Sequence, residues 1–174
     1  MTAGSCQPEE TSESLPQAAS DDFVDLFTTQ YPLLVAALRL SGAQGVTAED
    51  LAQEAFARTL GHWRRVREGT NPAGYLYRVA FRLLSRRVGV AEDPLGDIDR
   101  PSTTPGPEDS AIANLGVAHA LDAMPPRRRA CAVLVWYLGF TSDEAGAILG
   151  IDAATVRTQL QRARATAAPA ITTA

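Results

Sequence analysis

Apolar residues recur along most of this chain at the three- and four-residue spacing of a helix face, and nowhere in sustained alternation. The first run is Phe23, Leu26, Phe27, Leu33, Leu34, Ala37 and Leu38, ended by Ser41-Gly42. Pro32 lies inside it and predicts a kink or a second helix start. Thr47 followed by Asp50 reads as the next start, with acid in the first turn. Leu51, Ala55, Phe56, Leu60 and Trp63 form the inward stripe of that helix. Arg67 to Pro72 reads as a loop, and a helix from about Ala73 to Val88 follows, with Leu76, Val79, Leu83 and Leu84 inward. The period returns with Ile112, Leu115, Ala118 and Leu121. Pro125-Pro126 then opens a helix at its first turn, carrying Ala130, Val133, Leu134 and Leu138. The pattern predicts an all-α protein without a sheet.

Two stretches break the pattern and divide the chain. Residues 1–20 are rich in Ser, Glu, Gln, Thr and Pro without apolar period, which predicts a disordered acidic tail. Residues 89–110 hold four prolines, three glycines and six acids against one base, the composition of a flexible acidic linker. Two small helical domains are therefore expected, at 21–88 and 111–168, with a frayed tail at 169–174. Each is near the lower size limit for a self-sufficient core.

Charge follows the same division. The net of −4 over 174 residues argues on its face against a nucleic-acid binder. By segment, however, 1–20 carries −3, 21–88 carries +2, 89–110 carries −5 and 111–174 carries +2. All sixteen bases are arginine, a planar fork suited to phosphate and guanine edges.

Other classes fall away. No apolar stretch approaches the roughly 18 to 20 residues of a membrane span, so no membrane insertion is expected. Met1 to Ser20 lacks the basic and apolar regions of a secretory signal. Cys6 and Cys131 have no ligand-spaced Cys or His, so neither a disulfide scaffold nor a metal site is expected, and a cytoplasmic location is the default. No nucleophile–base pair and no phosphate-cradling glycine loop can be placed, and His62 and His119 are the two histidines. An enzyme is not expected.

The sharpest local signal lies in residues 138–166. Thr141 with Glu144 makes a capping box; Ala145, Ile148 and Leu149 face inward; Gly150 ends the short helix in a turn that needs positive φ. Asp152 is placed to cap the next helix, with Val156, Leu160 and Ala163 on its inner face. Gly146 lies where a large side chain would push the two helices apart. Together these form a helix-turn-helix. The outer face of its second helix holds Thr155, Arg157, Thr158, Gln161, Arg162 and Arg164, the residue types that dock in a major groove.

The stretch from Ala120-Leu-Asp-Ala-Met-Pro-Pro-Arg-Arg-Arg through Arg162-Ala-Arg164 resembles the C-terminal domain of extracytoplasmic-function (ECF) sigma factors of bacterial RNA polymerase. Asp50-Leu-Ala-Gln-Glu-Ala-Phe56 resembles that family's polymerase-clamp-binding helix, and Asn71-Pro-Ala-Gly-Tyr-Leu-Tyr-Arg-Val-Ala80 the start of its promoter-melting helix. The likeness spans about residues 21–168. It implies a factor that binds core RNA polymerase, reads the minus-ten promoter element with its N-terminal domain and the minus-thirty-five element with its C-terminal domain, and carries no cofactor. It also implies an anti-sigma factor as a partner.

Asp50, Gln53 and Glu54 stand at i, i+3 and i+4, on one helix face, and by resemblance are the clamp contacts. Arg78, Arg82 and Arg86 recur every four residues opposite Leu76, Val79 and Leu83, a stripe suited to promoter phosphates. The loop Arg67 to Asn71 lies where the family captures an extruded minus-ten base. Trp63 is read as core, and the acidic linker, by resemblance, threads the polymerase's basic channels. The chain departs from the family at Phe81-Arg82, where Arg-Asn is common, at Ser142-Asp143, and at Gly146, where Ala is customary. The alternatives are a stand-alone helix-turn-helix regulator, which leaves Asp50, Gln53 and Glu54 without a role, and a sigma-like interaction protein without initiation activity.

Overall fold

A computed structural model describes residues 17–44, 46–87 and 115–171, and the described residues are helical and turn throughout. The predicted linker at 89–110 and the tail at 1–16 lie outside the described residues. Before the break come α1 (Gln17–Leu40), α2 (Val46–Leu60), α3 (Trp63–Val66) and α4 (Pro72–Arg87). After it come α5 (Leu115–Asp122), α6 (Pro126–Ala132), a π-helical segment (Val133–Tyr137), α7 (Ser142–Leu149) and α8 (Ala153–Ile171).

In the first lobe, α1 and α4 both pack along α2. Leu34, Leu38, Leu51, Leu76 and Tyr77 are almost wholly removed from water there. Full burial of side chains this size is worth about 1.5–3 kcal/mol each, so the apolar faces, more than helix propensity, hold the lobe together. The Thr59 hydroxyl, buried on α2, donates to the Ala55 carbonyl at 2.8 Å and so enters the core with its polar atom satisfied. Trp63 is buried as read, with Phe23 edge-on at a centroid distance of 5.1 Å.

Several boundaries differ from the sequence reading. Pro32 sits inside one continuous α1 rather than dividing it, and α1 already begins at Gln17, inside the expected tail. Leu60, expected in the inward stripe, is 42% exposed. It ends α2 ten residues after Asp50, where the helix has turned that position back toward the Asp50 face. At the far end, α8 continues through Ile171, past the expected fraying point at 169.

The second lobe wraps α5, α6 and α7 around α8. Pro125 stands at the N-cap of α6 with Pro126 in its first turn, as predicted. The apolar run Val133-Leu-Val-Trp-Tyr137, too dense for one α face, is accommodated by a π-helical turn. That turn buries Val133 and Leu134 and leaves Trp136 and Tyr137 at 41% and 46% exposed. Cys131 is buried, and desolvation pushes its thiol pKa up to about 11.

The helices on both sides of the break contribute to one apolar cluster. α4 lies against α7, and α1 against the π-helical segment. Tyr77 of α4 and Phe140, just before α7, meet edge to face at 5.2 Å. Desolvation raises the Tyr77 phenol well above its ordinary pKa, and its hydroxyl donates to Gln30 Oε1 at 3.3 Å. Size explains the sharing: lobes this small leave apolar surface that either must cover with something.

Candidate functional site

The helix-turn-helix is built as the sequence dictates. Thr141 caps α7, its hydroxyl accepting the Glu144 N–H at 3.2 Å, while Glu144 Oε2 accepts the Thr141 N–H at 2.9 Å. The Thr141 N–H and hydroxyl both donate to the Glu144 carboxylate and hold its pKa below the ordinary value. A depressed folded-state pKa gives stability that is present above the ordinary carboxylate pKa and lost as pH falls through the lowered one. An acid titration of unfolding should therefore show a contribution that disappears in Glu144→Ala.

Gly150 closes α7 at φ +70°, in the left-handed region that favours glycine. Gly146 is needed for a different reason. A Cβ there would lie 2.6 Å from the Ile151 carbonyl oxygen and 3.3 Å from the Ala153 nitrogen, so the turn backbone passes directly over the glycine. Val156 is fully buried behind it.

On α8, Arg157, Thr158, Gln161, Arg162 and Arg164 are exposed and Thr155 is half-buried. The Thr158 hydroxyl is engaged locally, donating to the Ala154 carbonyl at 3.0 Å. The remaining polar groups face outward from a helix anchored on three sides, a geometry that presents side chains to a groove without distorting the backbone.

In the first lobe, Asp50 and Gln53 are exposed and Glu54 is half-buried on the same side of α2. Glu54 is bound to Arg58 at 2.6 Å, an i, i+4 pair, which leaves Asp50 and Gln53 as the more available groups. Sequence reasoning missed Leu60 here. It stands seven residues after Gln53, two turns further along the same face, as an exposed apolar group beside the polar patch. The mismatch between a strict apolar stripe and 3.6 residues per turn is the signal that could have found it.

Arg78, Arg82 and Arg86 line the exposed side of α4, with Leu76 and Leu83 buried opposite and Val79 half-buried. Among the described residues, none of the three is held in an ion pair. The loop before α4 is arranged otherwise. Arg67 pairs with Asp22 of α1 at 3.1 Å. The Asn71 Oδ1 accepts the Gly74 N–H at 2.6 Å and so caps α4, while its Nδ2 donates to Glu144 Oε1 at 3.3 Å. Both loop residues are thus at the surface but committed to protein partners.

Among the described residues, no group of His, Cys, Asp and Glu could hold a metal ion, and no helix is long and apolar enough to cross a membrane.

The two lobes have counterparts in known proteins. The profile of Sigma-70 region 2 matches residues 26–89, and that of Sigma-70 region 4 matches residues 115–166. The ECF RNA polymerase sigma factor SigE of Mycolicibacterium smegmatis is 38% identical over 138 residues, 74% of this chain and 52% of that protein. The chain therefore spans about half the length of this relative. ECF sigma factor SigL of Mycobacterium tuberculosis strain H37Rv is 30% identical over 134 residues, 73% of this chain and 75% of SigL. Among solved structures, sigma factor RpoE in complex with anti-sigma factor NepR from Bartonella quintana superposes with a TM-score of 0.65. That match has 21% identity and covers 87% of this chain and 98% of RpoE. CnrH in complex with the cytosolic domain of CnrY gives a TM-score of 0.59 at 21% identity, over 90% and 94% of the two chains. Region 2 and region 4 thus coincide with the two lobes, in the order read from the motifs, and the chain belongs to the ECF RNA polymerase sigma factor family.

Proposed function

We propose that this chain is a cytoplasmic, non-enzymatic initiation factor that docks on core RNA polymerase through the Asp50–Gln53–Glu54 face of α2 and directs the polymerase to promoter DNA. Arg78, Arg82 and Arg86, with the loop from Arg67 to Asn71, engage the minus-ten element. Thr155, Arg157, Thr158, Gln161, Arg162 and Arg164 engage the minus-thirty-five element. Polymerase supplies all catalysis, and no cofactor is required. An anti-sigma factor is the expected regulatory partner, in keeping with the superposed sigma factor RpoE, solved in complex with the anti-sigma factor NepR.

The observation that carries this reading is the separation of charge in the first lobe. An acid-and-amide patch lies on α2 and an arginine stripe on α4, each exposed, so one lobe can hold a basic protein surface and a phosphate backbone at once. Run-off transcription with core polymerase on random promoter templates tests it: specific transcripts are expected, and failure to initiate on any template overturns it.

Two further results follow. Leu60→Gln should weaken polymerase binding by about tenfold, the size of a moderate interface anchor, with little change in the thermal midpoint, because the side chain is 42% exposed and glutamine is a good helix former. Unchanged affinity by fluorescence titration would remove Leu60 from the interface. The second lobe should bind DNA with log K falling against log salt at a slope of about −3 if Arg157, Arg162 and Arg164 each neutralise one phosphate. A slope near zero would discount the named face of α8.

A further inference from the structure

We propose that Thr70, in the loop between α3 and α4, is a phosphorylation site for an arginine-directed serine/threonine kinase, and that its phosphoryl group switches off reading of the minus-ten element. The site itself is argued from the residues around Thr70; its effect on DNA rests on the assignment of Arg67 to Asn71 to that element.

The chain reads Arg64-Arg-Val-Arg-Glu-Gly-Thr70 here. Arginines stand three, five and six positions before the hydroxyl, a charge pattern complementary to a kinase groove lined with carboxylates. All three are exposed, on α3 and the turn that follows it, and so is Thr70. Among the described residues, the Thr70 hydroxyl makes no hydrogen bond. The exposed hydroxyls on helices are engaged by contrast: Thr28, Thr29, Ser85 and Thr158 each donate to the carbonyl four residues back. Thr141 is committed to the capping box of α7. Because α3 is a single helical turn, it opens locally at small cost, which lets the segment extend into an enzyme groove.

The reaction is phosphoryl transfer from ATP. Thr70 Oγ1 gives its proton to the kinase's base and bonds to the γ-phosphorus, the bond from that phosphorus to the β,γ-bridging oxygen breaks, and ADP leaves.

The added group carries about −1.5 to −2 charges at neutral pH. It stands one residue before Asn71, the cap of α4, at the positive end of that helix, and three residues after Arg67. Arg67 pairs with the exposed Asp22 at 3.1 Å, a surface contact that a dianionic phosphate displaces. Two effects then oppose DNA. Arg67 is taken by a phosphate of the protein itself, and the negative loop repels the promoter backbone.

The test incubates the full chain with ATP and a purified kinase that requires arginine three and five residues before its target, and maps the phosphate by fragment mass spectrometry. Modification of Thr70 is expected, with the rate lowered about tenfold in Arg65→Ala, the loss of one charge-assisted contact. Complexes of core polymerase with the phosphorylated and the untreated chain are then titrated with fluorescent DNA carrying a single-stranded minus-ten region. Phosphorylation should weaken binding about tenfold or more at physiological salt, and phosphatase treatment should restore it. Absence of phosphate from Thr70, or an equal rate in Arg65→Ala, overturns the site. Equal DNA affinity of the two forms overturns the switch. So does a loss of helix content on phosphorylation, read by circular dichroism, which would assign the weaker binding to unfolding. If neither form binds DNA, the promoter assignment falls instead, while the mapping still decides whether Thr70 is a kinase target.

Discussion

A chain carrying Asp50→Ala, Gln53→Ala and Glu54→Ala is expected to bind core RNA polymerase about 100-fold more weakly and to support almost no run-off transcription, because each truncation removes a polar anchor from one interface. The three do not contribute equally. Asp50 and Gln53 are exposed and uncommitted, whereas Glu54 already holds Arg58 at 2.6 Å and must exchange or share that partner. Asp50→Ala should therefore cost more than Glu54→Ala. The fold should survive the triple change. An exposed i, i+4 pair contributes only about 0.3–0.5 kcal/mol, and an acid near a helix start about 0.3–1 kcal/mol. Sizing chromatography with core polymerase reads the binding and thermal unfolding reads the fold. Full activity in the triple variant would show that the polymerase is gripped elsewhere. Loss of activity with a lowered midpoint would point to damage rather than a lost contact.

The second large effect is expected at Gly146. Gly146→Val should destabilise the helix-turn-helix by about 3 kcal/mol or more, since overpacking against rigid neighbours costs about 1–3 kcal/mol and valine adds β-branching within a helix. Gly146→Ala is the more discriminating change. Helix propensity favours alanine by about 1 kcal/mol. Against that, its Cβ would stand 2.6 Å from the Ile151 carbonyl oxygen, a backbone atom that cannot swing away. The steric cost wins, and a net loss of about 1 kcal/mol is expected. A thermal midpoint lowered by roughly 2–4 °C is the corresponding reading for a chain of this size. A higher midpoint would mean that the turn backbone can shift to admit the methyl group. A lower one would mean that this chain has settled on a closer helix approach and depends on its glycine.

Much of the fold was legible because it depends on spacing. The capping box of Thr141 and Glu144, the Pro125-Pro126 start and the left-handed Gly150 are each decided by residues within four positions of one another. The buried Val156 and Trp63 follow from the helical period. The candidate surfaces were legible for the same reason: Arg78, Arg82 and Arg86 share a face by spacing alone, and the structure leaves them outward.

The misreadings share the opposite cause. Leu60 was placed inward by a stripe extended one turn too far along a helix of 3.6 residues per turn, and it is 42% exposed. Of the two outcomes expected at Pro32, a kink or a second helix start, the second does not occur, because a single missing hydrogen bond is outweighed when both halves of the helix pack on the same core. The dense run from Val133 to Tyr137 carries no periodic instruction on which residues to bury; the neighbours of the π-helical turn choose Val133 and Leu134 and leave Trp136 and Tyr137 out.

By itself, then, the order of residues determined the helices, their caps, the helix-turn-helix and the two arginine-bearing faces, since all of these arise from interactions a few positions apart. Only the tertiary structure decided that the lobes share a core, that Asn71 is held by Glu144 from the other side of the break, and that Arg129 is buried beside the end of α1. Such contacts join residues far apart in the chain, 73 positions for Asn71 and Glu144, and their formation depends on which apolar surfaces remain uncovered once each lobe has folded, a quantity that no local pattern contains.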